Sequence, residues 1–135
     1  MSQSLAEQQN AVNWFEIPTA DFNRAVKFYE TIFEYKLSLM DMPGGKCAFF
    51  PCSMQHGVGG HLWHGQDPTN PPNKPSPTGP QLYLNANGHM DAVLNRIPTA
   101  GGKVIMPKTS IGQHGYIATF LDSEGNRVSL HSMVA

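Results

Sequence analysis

One carboxylate, Glu16, interrupts an apolar run, "VNWFEI", that otherwise has the composition of a buried strand, and six histidines (His56, His61, His64, His89, His114 and His131) are spread along the chain. A carboxylate facing a partly dry hollow is costly unless it is paired or hydrogen-bonded. With an imidazole beside it, such a group can act as a general base, accept a hydrogen bond from a ligand, or form a structural charge-assisted bond. The sequence leaves those roles open. Glu16, His61 and His131 also have the composition of a two-histidine, one-carboxylate iron site. No two histidines form HExxH or another close helical pair, so any metal chemistry depends on where the fold places them. Cys47 and Cys52, with four residues between them, match neither a CxxC pair nor a zinc-finger spacing and read as reduced packing thiols.

Two stretches carry the periodicity of a helix. Phe22, Ala25, Val26, Tyr29 and Phe33 keep one apolar face after Asp21, a residue suited to an N-cap, and Met90, Val93, Leu94 and Ile97 keep another after Asn87-Gly88. Pro98 and Gly101-Gly102 close the second helix. Each helix follows an apolar strand candidate ("VNWFEI", "QLYLN") and precedes another ("KLSLM", "KVIMP"), and further strand candidates come after: "KCAFF" and "GHLWHG", then "GYIATFL" and "RVSLHS". A shift of 67 residues lays Ala25 on Ala92, Val26 on Val93 and Lys36 on Lys103. Each half therefore reads βαβββ, with module one at about 12–64 and module two at about 81–132. Between them residues 65–80, "GQDPTNPPNKPSPTGP", hold six of the eleven prolines and read as an irregular, polyproline-like connector. A βαβββ half leaves one sheet face bare, so the two should pair around a shared concavity.

With 135 residues the chain is expected to form one domain, 1–135. Nine Lys and Arg against ten Asp and Glu give a net charge of -1 with no basic stripe, which argues against nucleic acid as a partner. No apolar run approaches the roughly 18 residues that span a bilayer, and "MSQSLAEQQN" lacks the charged start and apolar middle of a signal peptide. The expectation is a soluble, cytoplasmic protein with no membrane partner.

The segments "WFEIPTADFNRAVKFYETIF", "YLNANGHMDAVLNRIPTAGGKVIMPKTSIG" and "GYIATFLDSEGNRVSLHS" resemble the vicinal oxygen chelate superfamily, which includes glyoxalase I, the bleomycin-resistance proteins and the extradiol dioxygenases. The likeness spans residues 12 to 132 and is nearest to the small bacterial proteins called glyoxalase-like. It implies an α+β fold of two tandem βαβββ modules, forming an incomplete, curled mixed β-barrel with the helices outside. In metal-dependent members four inward side chains hold a divalent ion, and the corresponding positions here are Trp14, His61, Gln81 and Ser129. An indole, one imidazole, an amide and a hydroxyl make a poor donor set for zinc, nickel or iron. No cofactor is therefore expected at these positions, with a divalent metal (Zn, Ni, Mn or Fe) on a displaced Glu16, His61 and His131 set as the alternative.

Strand residues alternate faces, so an inward Trp14 makes Glu16 inward too. By the same alternation His131 shares the face of Ser129, and Glu16 with His131 is the expected pair, catalytic if the protein is an enzyme. Trp14, Trp63 and Tyr83, with His61, Gln81 and Ser129, are expected to line the concavity and bind a ligand, a surface suited to a planar or apolar small molecule. Gln113 and His114 sit in a glycine-bounded loop that reads as solvated, with gating of the cavity mouth as the alternative, and His56 and His64 read as surface residues. The function so implied is binding of a small organic molecule without turnover, by a homodimer as relatives commonly are. The alternatives are a metal-dependent lyase, isomerase or dioxygenase using Glu16, His61 and His131, and a metal-free acid/base enzyme using Glu16 and His131.

Overall fold

Asp21 starts the first helix as its position suggests: its side chain accepts the Arg24 N–H at 3.1 Å, and the helix α1 runs Phe22–Phe33. Ala25, Phe28, Tyr29 and Ile32 are buried along one stripe. The helix ends where Glu34 turns left-handed at φ 56°, and Arg96 of the second helix donates to the terminal carbonyl of Ile32 at 2.7 Å. That second helix, α2 (Met90–Ala100), runs through Pro98 and stops at Gly101, φ 108°, a conformation glycine adopts without strain. The closing signal is thus Gly101, and Pro98 is accommodated within the last turn.

The computed structural model describes residues 4–8, 10–53, 55–66 and 74–135. Among them, eight strands make two four-stranded sheets. The first sheet holds β1 (Phe15–Pro18), β2 (Ser38–Met42), β3 (Gly45–Phe49) and β4 (Gly60–Gly65), in the order β1-β4-β3-β2. The second holds β5 (Tyr83–Asn85), β6 (Lys103–Ser110), β7 (Tyr116–Leu121) and β8 (Arg127–Ser132), in the matching order β5-β8-β7-β6. Only the pairs β1·β4 and β5·β8 are parallel, as the helical crossover in each half requires. The fold is the α+β arrangement of two βαβββ units with curled, unclosed mixed sheets. Short 3-10 turns lie at Leu5–Glu7 and Gly112–His114. Of the connector 65–80, residues 67–73 lie outside the described residues.

The core forms where each helix covers one face of its sheet. Ile17, Ala48 and Leu62 pack with α1, while Leu84, Ala118, Phe120 and Leu130 pack with α2 in the same cluster. The opposite, helix-free faces carry the residues of chemical interest, and are called the open faces below. No helix among the described residues is long and apolar enough to cross a membrane.

One turn adds a polar brace to the packing of the halves. Residues 122–126, "DSEGN", connect β7 to β8 as a tight hairpin, and their side chains reach back across the junction. Asp122, buried in the core, accepts the Tyr29 hydroxyl at 2.7 Å and the backbone N–H groups of Glu124 and Asn126 at 2.9 Å each. Glu124 accepts the N–H groups of Ala20 and Asp21 at 2.8 and 2.6 Å, just before α1, and pairs with Arg24. Asn126 donates to the Pro18 carbonyl at 2.8 Å. Burial pushes the Asp122 carboxyl above its ordinary range against the pull of its hydrogen bonds, and burial likewise raises the Tyr29 phenol well above its own.

Candidate functional site

On the open face of the first sheet, Glu16 has His61 as its neighbour. The β1·β4 register sets Glu16 opposite His61, so both side chains leave the same face of adjacent strands. His61 Nε2 lies 3.0 Å from Glu16 Oε1. The Trp14 indole N–H donates to His61 Nδ1 at 2.7 Å. An indole nitrogen can only donate, so Nδ1 is the accepting nitrogen and Nε2 carries the proton given to Glu16. The His61 side chain is 15% exposed and that of Glu16 33%, which puts this three-residue chain at the surface of the sheet rather than in its core.

Aromatic rings frame it. Trp14 and His61 each contact Phe49, with ring centroids 6.1 and 5.7 Å apart, and Trp63 meets His61 at 6.4 Å. Glycines make room for these rings. A Cβ on Gly45 would stand 2.8 Å from the Trp63 ring and 2.2 Å from the His64 carbonyl oxygen, and one on Gly59 would meet the Trp14 ring at 3.2 Å. Cys47 shares this face opposite Trp63, and burial, with the Glu16 charge nearby, pushes its thiol up toward the inert, protonated form.

The second sheet answers with smaller polar groups. Gln81 Nε2 donates to the Ser129 hydroxyl and, at 3.3 Å, to Thr119, and the two hydroxyls lie 2.9 Å apart. Ser129 is fully buried and Thr119 nearly so. Tyr83 sits opposite Ser129 in register and is exposed. His131 occupies the same face, where its Nε2 donates to the His114 carbonyl at 2.8 Å and ties down the 3-10 turn.

The expected pair of Glu16 with His131 is therefore not formed. The two lie in different sheets, and each finds a neighbour close by: His61 for Glu16, His114 for His131. Trp14 and His61 do meet, as do Gln81 and Ser129. His64, expected at the surface without a partner, is half-buried, and its Nδ1–H points at Thr19 Oγ1 and the Thr19 carbonyl, 3.1 and 3.3 Å away. The sequence reading missed this contact, and it missed Phe49, whose place on the open face follows from the alternation of β3 once the register with β4 is known. His56 remains exposed.

Concavities lie along the junction of the halves. A cleft of about 530 Å³ is lined by Gln81 and Tyr83 together with Phe15, Tyr35, Phe50 and Leu84. A smaller hollow of about 240 Å³ is lined by Glu16 with Lys74, Asn126 and Arg127. Tyr83 and Glu16 thus face different spaces.

The donor set does not fit a divalent ion. Trp14 offers only an N–H, and gives it to the one lone pair of His61 that an ion would need. Gln81 turns its amide nitrogen, which cannot ligate, toward Ser129 and Thr119. Among the described residues no three His, Cys, Asp or Glu side chains stand together as ligands would, so the displaced set of Glu16, His61 and His131 is not assembled.

Two repeated βαβββ units with curled open sheets define a protein class, and comparison of the sequence identifies it: the chain belongs to the Glyoxalase/Bleomycin resistance protein/Dioxygenase superfamily, whose family model matches residues 11–130. "Putative glyoxylase CFP32" of Mycobacterium bovis is 29% identical over 125 residues, covering 91% of this chain but only 46% of that protein. The chain spans about half the length of the curated relatives it matches. Among solved structures, a glyoxalase-related enzyme from Fulvimarina pelagi superposes with a TM-score of 0.67 at 17% identity, over 93% of this chain and 88% of the other. TnmS3, an antibiotic binding protein from Streptomyces sp. CB03234, superposes with a TM-score of 0.60 at 25% identity, over 91% and 95%.

Proposed function

We propose that the protein binds a small, planar organic molecule on the open face of the first sheet without a divalent ion, and releases it unchanged. The observation that carries this reading is the Trp14–His61–Glu16 hydrogen-bonded chain set among the rings of Phe49 and Trp63: a directed polar group on an aromatic wall, the composition of a small-molecule site. The likeness to an antibiotic binding protein supports binding as the role. Trp14, Glu16, His61 and Trp63 make the primary contacts, while Gln81 and Tyr83 face the neighbouring cleft and Ser129 is fully buried, so these three stand outside the ligand surface. The test is a panel of planar small molecules scored by tryptophan fluorescence and thermal stability, with the ligand recovered and analysed. A ligand returned chemically altered, or a binding response that survives Glu16→Gln and Trp14→Ala unchanged, would refute it.

A second reading, metal-free acid/base catalysis, is favoured by the 3.0 Å contact of a carboxylate with an imidazole at a surface open to ligand. Here Glu16 is the base and His61, in place of His131, its orienting partner. It requires pH-dependent turnover that Glu16→Gln abolishes while binding survives.

The whole chain, 1–135, acts as one domain in this proposal, with module one at 12–64, the connector at 65–80 and module two at 81–132, and it works as a homodimer. β2 supports the pairing, since it is a sheet edge exposed along its whole length with Leu39, Met40 and Met42 unburied. Sedimentation of wild type against Met40→Lys tests this, and a wild-type monomer at micromolar concentration would rule it out. The buried thiol of Cys47 suits a reducing, cytoplasmic setting.

A further inference from the structure

The indole of Trp14 does more in this geometry than fill space. Its ring, although Trp14 is 43% exposed, rests against Gly59, where even a Cβ would crowd it at 3.2 Å, and lies 6.1 Å from the Phe49 ring. From there it aims its N–H at His61 Nδ1 at 2.7 Å. That bond decides the tautomer of His61, because an imidazole accepting at Nδ1 must hold its proton at Nε2, where Glu16 Oε1 receives it at 3.0 Å. Both ring nitrogens are thereby engaged. What faces outward is the Glu16 carboxylate, its side chain one-third exposed.

We propose that Trp14 is a positioning residue that holds His61 as the Nε2–H tautomer against Glu16, and that the resulting acceptor site selects planar ligands bearing a hydroxyl or N–H donor. This rests on the binding reading above and sharpens it to a ligand class. A flat ring stacks against the indole and Phe49, and its donor reaches the carboxylate as a charge-assisted hydrogen bond. A ligand presenting only acceptor oxygens meets a carboxylate that repels it. Lys74 and Arg127 lie along the hollow on the other flank of Glu16, and Arg127 gives an N–H to the Gly79 carbonyl, so the selected donor is a neutral hydroxyl or N–H rather than an ammonium.

Three probes of one shape separate the possibilities: 2-naphthol, its capped ether 2-methoxynaphthalene, and 2-naphthoate, each measured by calorimetry. The wild type should prefer the naphthol over the ether by about tenfold or more, the size of a hydrogen bond to a charged acceptor, and bind the naphthoate weakest. Glu16→Gln should erase most of that preference. Trp14→Phe keeps an aromatic wall but a smaller one, so it should weaken naphthol binding more than ether binding, and the preference for naphthol should collapse. Nitrogen-15 histidine spectra, with His61 assigned from its loss in His61→Asn, give a readout that packing alone would not move: one tautomer in the wild type, protonated at Nε2, and a mixture in Trp14→Phe. Equal binding of naphthol and ether by the wild type overturns the ligand class while leaving binding itself intact. A single Nε2–H tautomer that persists in Trp14→Phe overturns the positioning role. If no probe binds, the ligand class falls together with the binding reading, and the spectra alone decide what Trp14 does.

Discussion

The two halves place a hydrogen-bonded pair at the same two positions of the fold. In the first half the indole of Trp14 donates to His61, and in the second the amide of Gln81 donates to Ser129. Beyond that shared plan they diverge. The first pair stands among aromatic rings and hands its proton on to a carboxylate, while the second is enclosed, with Ser129 fully buried and bonded to Thr119. The connections diverge in the opposite sense. Between β3 and β4 the first half has a long stretch, 50–59, whereas the second half has the five-residue turn at 122–126 that grips α1. One half carries the proposed binding surface and the other braces the junction. A duplicated fold can divide its labour this way because each half has its own sheet and helix, and only the contact between them must be kept.

The brace should give the largest effect. Asp122→Ala leaves the buried Tyr29 hydroxyl, the Asn126 amide and two backbone N–H groups without their acceptor, and should cost about 3 kcal/mol of unfolding free energy by urea denaturation. Tyr29→Phe in the Asp122→Ala background should add little, since both changes break one bond. A loss below about 1 kcal/mol for Asp122→Ala would mean that the turn is not the brace and that the comparison between the halves fails at this point.

Exchanging the two slot pairs sharpens the contrast at smaller scale. Ser129→Ala removes a buried hydroxyl that Thr119 and Gln81 share, and should lower stability by about 1 kcal/mol while leaving ligand affinity within about twofold. His61→Ala should do the reverse, with a small effect on stability and a fall in affinity of about tenfold, since Glu16 loses the group that orients it. Calorimetry and denaturation on both variants check the crossing. If Ser129→Ala weakened binding as much as His61→Ala, the second half would have to be counted part of the ligand surface.

Much of this arrangement was legible in local sequence. "GHLWHG" and "RVSLHS" coincide with β4 and β8, and the alternation that puts Trp14 and Glu16 on one face survives although β1 itself begins at Phe15. The pairing of Glu16 with His61 is not legible in local pattern, because matching equivalent positions between the halves points to His131 instead. In a βαβββ unit, however, the first strand lies beside the fourth of its own sheet, and Glu16 meets His61 there. The turn "DSEGN" was readable as a hairpin from its composition. Its grip on Ala20, Asp21 and Arg24, about a hundred positions away in sequence, depends on how the halves dock, and no local pattern encodes that.

The same turn makes a last, smaller prediction about acid. Burial pushes the Glu124 carboxyl up, but hydrogen bonds from Arg24, the Asp21 and Ala20 N–H groups and Ser123 outweigh it, so Glu124 titrates below the ordinary glutamate value of 4.5. A lowered folded value means a stabilising contribution that is complete above that ordinary value and is lost as pH falls through the folded one. Asp122, two residues earlier and raised chiefly by burial, acts with the opposite sign: its contribution is present in acid and lost as pH rises through its raised value. Glu124→Gln should therefore be less stable than wild type by about 1 kcal/mol at neutral pH, and the gap should close as the solution is acidified below 4.5. Urea denaturation of both proteins at neutral pH and at about pH 3 reads this directly. A gap unchanged by acid would assign the hold of Glu124 on α1 to shape rather than charge, and would leave the charged part of the turn's grip to Asp122.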